Sequence, residues 1–148
     1  MNRMKTQAQK LAEAHHAYQA AKTGVCPKRG TGNGGIPTHP VVPCPDLPEM
    51  GKGGVQDLCH KWLLARRILC SKHACGRKGG VLYGIKDSGD IHGYLPDGRG
   101  FEIECKRGKG GRLKIGQFRR MNLVHNTAGL YFIVHGTDEL AYYFRGLI

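Results

Sequence analysis

The run Phe101-Glu102-Ile103-Glu104-Cys105-Lys106 alternates apolar and charged residues. As a strand it sends Phe101, Ile103 and Cys105 to one face and Glu102, Glu104 and Lys106 to the other. Three charged side chains on one face are costly beneath a helix. They are tolerable where that face opens on a cleft holding a cation and a phosphate. Asp90 precedes this run across a hairpin whose turn reads Pro96-Asp97-Gly98-Arg99. A two-residue Asp97-Gly98 turn would set Asp90 opposite Cys105, on the wrong face. A bulge or a three-residue loop, with Gly98 or Gly100 left-handed, sets it opposite Glu104 or Lys106, and this is the expectation. Asp90 and Glu104 then offer two hard oxygen donors for Mg²⁺ or Mn²⁺, joined by the Cys105 main-chain carbonyl. Such an ion polarises a phosphodiester and acidifies a bound water, while Lys106 orients that water or offsets charge developing on phosphorus. Glu102 is an alternative acid on the same face, but Glu104 has the right spacing to Lys106.

These residues need elements to hold them. Lys114 to Thr127 reads as a helix ended by Gly129, with Phe118, Met121, Val124 and His125 along one stripe. Gln117 begins the Gln117-Met121-Val124 stripe, so its amide is expected to face the sheet. VQDLCHKWLLARRILC, from Val55, places Val55, Leu58, Cys59, Trp62 and Leu69 at helical spacing. Strands are expected at 81–85, 90–95 and 101–106, then at 130–134 (LYFIV, a central strand covered on both faces) and at 141–144 (AYYF). The fold class is thus α/β in the mixed α+β sense: an α-β-β-β-α-β order, extended by a last strand, giving a mixed sheet flanked by helices. Residues 54–148 form the expected domain. Residues 1–53 comprise a basic N-terminal helix (1–22) and a Gly/Pro-rich linker.

The chain has 148 residues, enough for one ordinary domain. Its 23 Lys and Arg outweigh 11 Asp and Glu to give a formal charge of +12, which points to a polyanionic partner, nucleic acid first. No apolar run approaches the roughly 20 residues that span a bilayer, and the N-terminus lacks a signal-peptide core, so a cytoplasmic protein without a membrane partner is expected. Arg107, Lys109, Arg112, Lys114, Arg119 and Arg120 follow Lys106 with no acid among them. The RGKGGR loop could track a phosphate backbone with its amides and cations. The six cysteines contain no CxxC pair, so reduced thiols are expected.

Gly89-Asp90-Ile91, the hairpin, Glu102-Ile103-Glu104-Cys105-Lys106-Arg107, Gly111-Arg112-Leu113 and Gly116-Gln117 together resemble the PD-(D/E)xK nuclease superfamily. The resemblance is greatest to its virus-type replication-repair nuclease (VRR-NUC) branch, found in phage and in DNA-repair nucleases, and covers roughly residues 54–145. It implies a restriction-endonuclease-like core, with Asp90 and Glu104 as metal ligands, Lys106 as the catalytic lysine and Gln117 beside the site. Many members carry a further Glu on the first helix, where this chain offers Gln56 and Asp57; Gln56 would be a weaker metal contact. Gly89 replaces the Pro of the superfamily name. The implied activity is a metal-dependent DNA endonuclease acting on branched or junction DNA in replication, repair or recombination, with a homodimer by analogy. Two other readings stand beside it. One is a catalytically inactive nucleic-acid-binding module. The other is a zinc-stabilised interaction protein using Cys26, His39, Cys44, Cys70, His73 and Cys75.

Overall fold

The computed structural model describes residues 35–148. The expected helix over 1–22 and Cys26 lie outside the described residues. In chain order the elements are β1 (Ile36–Pro37), α1 (Val55–Ala65), β2 (Leu69–Lys72), β3 (Gly76–Lys78), β4 (Val81–Tyr83), β5 (Ile91–Tyr94), β6 (Gly100–Cys105), β7 (Arg112–Leu113), α2 (Ile115–Asn126), β8 (Leu130–Val134) and α3 (Thr137–Phe144). The main sheet has the order β2-β5-β6-β8. The β2/β5 and β5/β6 pairs are antiparallel and β6/β8 is parallel, so the sheet is mixed.

Alternation in β6 decides what each face meets. Phe101, Ile103 and Cys105 join Val55, Cys59 and Leu63 of α1 and Leu140 and Phe144 of α3 in the principal core. Each fully buried large apolar side chain there contributes about 1.5–3 kcal/mol of transfer free energy. The opposite face lies against α2, whose Phe118 and Met121 pack with Tyr131, Leu113 and Ile36 in a second cluster. Helices therefore flank the sheet on both sides.

Five expectations need correction. Leu69 does not extend α1: the helix ends at Ala65, Arg67 turns left-handed (φ 58°), and Leu69 opens β2 as an exposed residue. VLYGI supplies no main-sheet strand, because β4 pairs only with β3 in a separate hairpin, and β2 takes its place in the order. LYFIV is packed on both faces but is the edge strand beyond β6. AYYF is helical: read from Thr137, the segment starts with Asp138 and Glu139 at a helix N-terminus and buries Leu140 and Phe144 four apart. A four-residue apolar window cannot distinguish that stripe from a strand. The end of α2 also comes a residue early, with Ala128 rather than Gly129 taking positive φ (59°).

From residue 38 to α1 the described part of the Gly/Pro-rich stretch is irregular, yet residues 36–49 are tied to the rest. β1 pairs antiparallel with β7, placing Ile36 opposite Leu113. The Thr38 hydroxyl lies 2.8 Å from His135 Nε2, and Glu139 Oε2 lies 2.7 Å from His135 Nδ1. Glu139 and Thr38 thus bracket the two nitrogens of the His135 ring. Glu139 also accepts the backbone N–H groups of His135 (2.8 Å) and Val41 (3.3 Å). This buried network latches the segment onto α3, and the Leu47 carbonyl accepts the Gly108 N–H at 3.1 Å.

Candidate active site

The β5–β6 connection positions the site. His92 faces Glu102 and Ile91 faces Ile103. The turn closes with Leu95 N–H donating to the Arg99 carbonyl (2.8 Å) and Gly98 N–H to the Leu95 carbonyl (2.9 Å). The loop is thus Pro96-Asp97-Gly98, three residues long, and Gly98 has φ 88°, a value that glycine adopts without strain. Continued one step, this register brings Asp90 opposite Glu104, as the odd-length connection requires. A glycine is also needed just before it, since a Cβ on Gly89 would lie 2.9 Å from Glu102 Cβ and from the Ile103 backbone.

Asp90 Oδ2 accepts the Cys105 N–H at 2.8 Å, so the carboxylate is held against the strand that carries Glu104 and Lys106. Its own carbonyl accepts from His73 N–H (2.7 Å) and from Gln56 Nε2 (3.3 Å). Gln56 therefore braces the Asp90 backbone through its amide nitrogen. Glu104 Oε1 accepts from Gln117 Nε2 at 2.7 Å and lies 3.0 Å from Lys106 Nζ. Lys106 Nζ in turn donates to Gln117 Oε1 at 3.1 Å. Gln117 Oε1 also accepts the Lys114 N–H at 2.9 Å, so one amide caps α2 and ties the acid and the ammonium together. Glu104 and Lys106 are only 3% and 4% exposed, so their charges must be answered locally.

Burial, reinforced by the negative charge of Asp90, pushes the Glu104 carboxyl up to about 7. Burial also raises Asp90, against the pull of the Cys105 N–H. Glu102 goes the other way: burial works to raise it, but hydrogen bonds from Arg120 and Gly89 N–H outweigh this and hold it low. Glu102 is the structural acid of the strand, ion-paired to Arg120 and bonded to Gly89 N–H at 2.9 Å. Its neighbour His92 is 3.9 Å away, lowered by burial, and stacked on His73 at 4.3 Å between ring centroids.

A cleft of about 310 Å³ opens over this group, lined among others by Asp90, Glu104, Gln117, Lys114, His73 and Lys86. A larger groove of about 710 Å³ runs beside Tyr94, Arg99 and Thr127. It lacks the paired acids, which line the smaller cleft and make that the candidate site.

Among the described residues, no three or more His, Cys, Asp or Glu side chains are arranged to hold a metal ion. A magnesium site needs fewer, because Mg²⁺ keeps several waters and binds through one or two carboxylates plus substrate phosphates. Asp90 and Glu104 suit that role: two hard oxygen donors on one cleft, both held toward protonation, whose repulsion a divalent cation would relieve. Cys105, expected to add its carbonyl, directly follows Glu104, is buried and gives its N–H to Asp90. In the zinc set, the His73 ring nitrogen accepts the Ile85 N–H at 3.1 Å, Cys75 is exposed, and Cys44 and Cys70 are half-buried free thiols.

Sequence reading missed Glu49 and Tyr131. Glu49 Oε1 lies 3.7 Å from Lys106 Nζ, and the Tyr131 hydroxyl donates to Glu104 Oε2 at 3.5 Å. Glu49 is delivered by a loop closure in which the Pro48 and Glu49 carbonyls accept the Val55 and Gln56 N–H groups, which no periodicity announces. Asp57 points elsewhere, accepting the Gly53 N–H and pairing with Lys61 and Lys72. Of the cationic set, Arg107, Lys109, Lys114 and Arg119 are exposed. Arg112 donates to the Gly35 carbonyl at 2.8 Å, Arg120 is taken by Glu102, and the Gly108 amide is spent on Leu47.

The raised Glu104 carboxyl has a thermodynamic signature. Without metal, the folded state holds this proton more tightly than the unfolded state. Stability is then greatest below the ordinary carboxyl value of 4.5 and falls as pH rises to about 7, by about 3 kcal/mol in all. Urea midpoints in EDTA should drop across that window, and Glu104→Gln should flatten the dependence. An unchanged slope in the variant would remove Glu104 as its source. No family model, curated protein or solved structure matches this chain.

Proposed function

We propose that the protein is a divalent-metal-dependent DNA nuclease working at the Asp90-Glu104-Lys106 cleft. In this reading it has the restriction-endonuclease-like core of the virus-type replication-repair branch and acts on branched DNA. The observation that carries the reading is that Asp90 and Glu104, delivered by two neighbouring strands, line one cleft, while Gln117 joins Glu104 to the buried Lys106 behind it. Glu104 and Lys106 are buried, Asp90 is half-buried and both acids are perturbed, which is the pattern expected of a reacting centre.

Asp90 and Glu104 would hold Mg²⁺ or Mn²⁺, which when bound supplies Lewis-acid polarisation of the phosphoryl oxygen and acidification of a water. Lys106 is held by Glu104 and Gln117, and in this reading its ammonium would offset the negative charge that accumulates on the phosphoryl oxygens. Hydrolysis forms a bond from water oxygen to phosphorus and breaks the bond to the leaving nucleoside oxygen, which takes up a proton. Gln117 fixes the distance between acid and ammonium, so it is a positioning residue. The exposed Arg107, Lys109, Lys114 and Arg119 flank the site for backbone phosphates.

The test is cleavage of supercoiled plasmid and of a four-way junction with Mg²⁺, with Mn²⁺ and with EDTA. Metal-dependent nicking, faster on the junction, is the expected result. Tight binding with no cleavage under any metal would leave only a cationic binding module. Zinc held stoichiometrically through purification would favour the interaction-protein reading instead. Binding to duplex should weaken with salt, log K falling against log salt with a slope near −4 if the four exposed cations each meet one phosphate. Replacing Arg107 and Lys109 together by Ala should lower that slope by about 2, read by fluorescence anisotropy in EDTA.

A further inference from the structure

The β3–β4 hairpin has no part in the chemistry above and is not a strand of the main sheet. Its two strands of three residues are joined by Gly79 and Gly80, both at positive φ (57° and 79°), as a tight primed turn requires. A two-stranded hairpin alone is marginally stable in water, and this one leaves its apolar residues bare. Val81 is 68% exposed, Leu82 and Tyr83 each 49%, and Ile85 48%. Beside them stand the exposed cations Arg77, Lys78 and Lys86. Residues 58–86 contain no Asp or Glu at all. An apolar ribbon edged only with positive charge suits neither a solvated loop nor an ordinary protein partner of mixed charge.

The root of the ribbon is anchored at the candidate active site. Ile85 N–H donates to His73 Nε2 at 3.1 Å, and Ser88 bonds back to the Ile85 carbonyl through its N–H (3.3 Å) and hydroxyl (3.0 Å). His73, Lys86 and Ser88 themselves line the cleft. The ribbon, about 10 Å long at roughly 3.4 Å per residue, is thus rooted at the rim of the site.

We infer that the hairpin of residues 76–83 is a DNA-gripping arm that seats in a groove of the duplex beside the scissile phosphate. This rests on the nuclease reading for its substrate. A major groove admits a two-stranded ribbon, and apolar side chains on such elements lie against bases or wedge between steps. Arg77, Lys78 and Lys86 meet the flanking phosphates, while Val81 and Tyr83 bury their apolar surface against the nucleic acid. The arm accordingly favours substrates with a duplex segment next to the cleavage point over bare single strands.

The experiment compares the full chain with two double variants, Arg77→Ala/Lys78→Ala and Val81→Ser/Tyr83→Ser. These positions are exposed, and thermal melts establish that the variants remain folded. Two readouts keep the arm and the nuclease reading apart. The first is equilibrium binding to a labelled duplex in EDTA across a salt series. The second is metal-dependent hydrolysis of bis(4-nitrophenyl) phosphate, a diester too small to touch the arm. The charge variant should bind duplex at least 10-fold more weakly with a salt slope shallower by about 2, and the apolar variant at least 10-fold more weakly with the slope unchanged. Both should hydrolyse the small diester like the parent. Binding isotherms that superimpose on the parent would overturn the arm, whatever the diester shows. So would sedimentation in which the apolar variant turns a dimer into a monomer, since the ribbon would then be a contact between copies. Absence of diester hydrolysis in the parent, with the binding losses intact, would sink the nuclease reading and leave the arm as a DNA contact.

Discussion

Asp90→Asn should lower metal-dependent DNA cleavage by at least about 10³-fold while leaving the fold in place. The substitution keeps an oxygen to accept the Cys105 N–H at the position of Oδ2, so the β5–β6 register survives. What it removes is one negative charge from the pair of hard donors. Glu104→Gln should do the same for the second donor, and it also disturbs the bonds from Gln117 and Lys106. Losses of this size are typical when a group that stabilises charge in the transition state is removed from a buried site. Lys106→Met, which preserves length without the ammonium, should fall in the same range. The three single losses should be strongly non-additive if the residues act as one unit. Initial rates on plasmid at saturating Mg²⁺, with circular dichroism as the control for folding, measure this. Undiminished cleavage in Asp90→Asn would end the assignment of the site.

Glu139→Ala should destabilise the protein by about 3–5 kcal/mol, because it strands three donors at once. The His135 N–H, the His135 ring nitrogen and the Val41 N–H all terminate on this carboxylate. Glu139 and His135 are each only 1% exposed, so water cannot replace the lost partner cheaply. Each buried unsatisfied donor costs about 1–3 kcal/mol. Glu139→Gln retains one acceptor oxygen and should cost about half as much. Urea denaturation reads both values, and a loss below about 1 kcal/mol in the alanine variant would contradict the latch. The same variant should also free residues 36–49 to proteolysis. Glu49, held 3.7 Å from Lys106 by that segment, would then be displaced, so the latch bears on the site as well as on stability.

Some of this was legible in residue order alone. Alternation in FEIECK separates the charged face from the apolar face wherever the strand lies, because side-chain direction in a strand has period two. The parity argument across Pro96-Asp97-Gly98 required an odd-length connection, and the three-residue loop satisfies it. Gln117 faces the sheet because it shares the stripe of Met121, which four-residue helical spacing dictates. The helix α3 is not legible in AYYF because a four-residue apolar cluster carries no period, and only the preceding Asp138 and Glu139 mark a helix start.

Sequence by itself determined which side chains share a face and what charge the chain carries, since both follow from local covalent geometry and composition. Only tertiary structure decided who answers those charges. Glu102 became a structural acid because α2 brings Arg120 to it, while Glu104 stayed perturbed because packing buries it beside Asp90, against the pull of Lys106. Glu49 reached Lys106 from a loop without periodicity, and the β3–β4 ribbon was left outside the main sheet because β2 occupies the edge beside β5. Partner choice over long sequence separation depends on how layers pack, and no spacing rule within a single element encodes it.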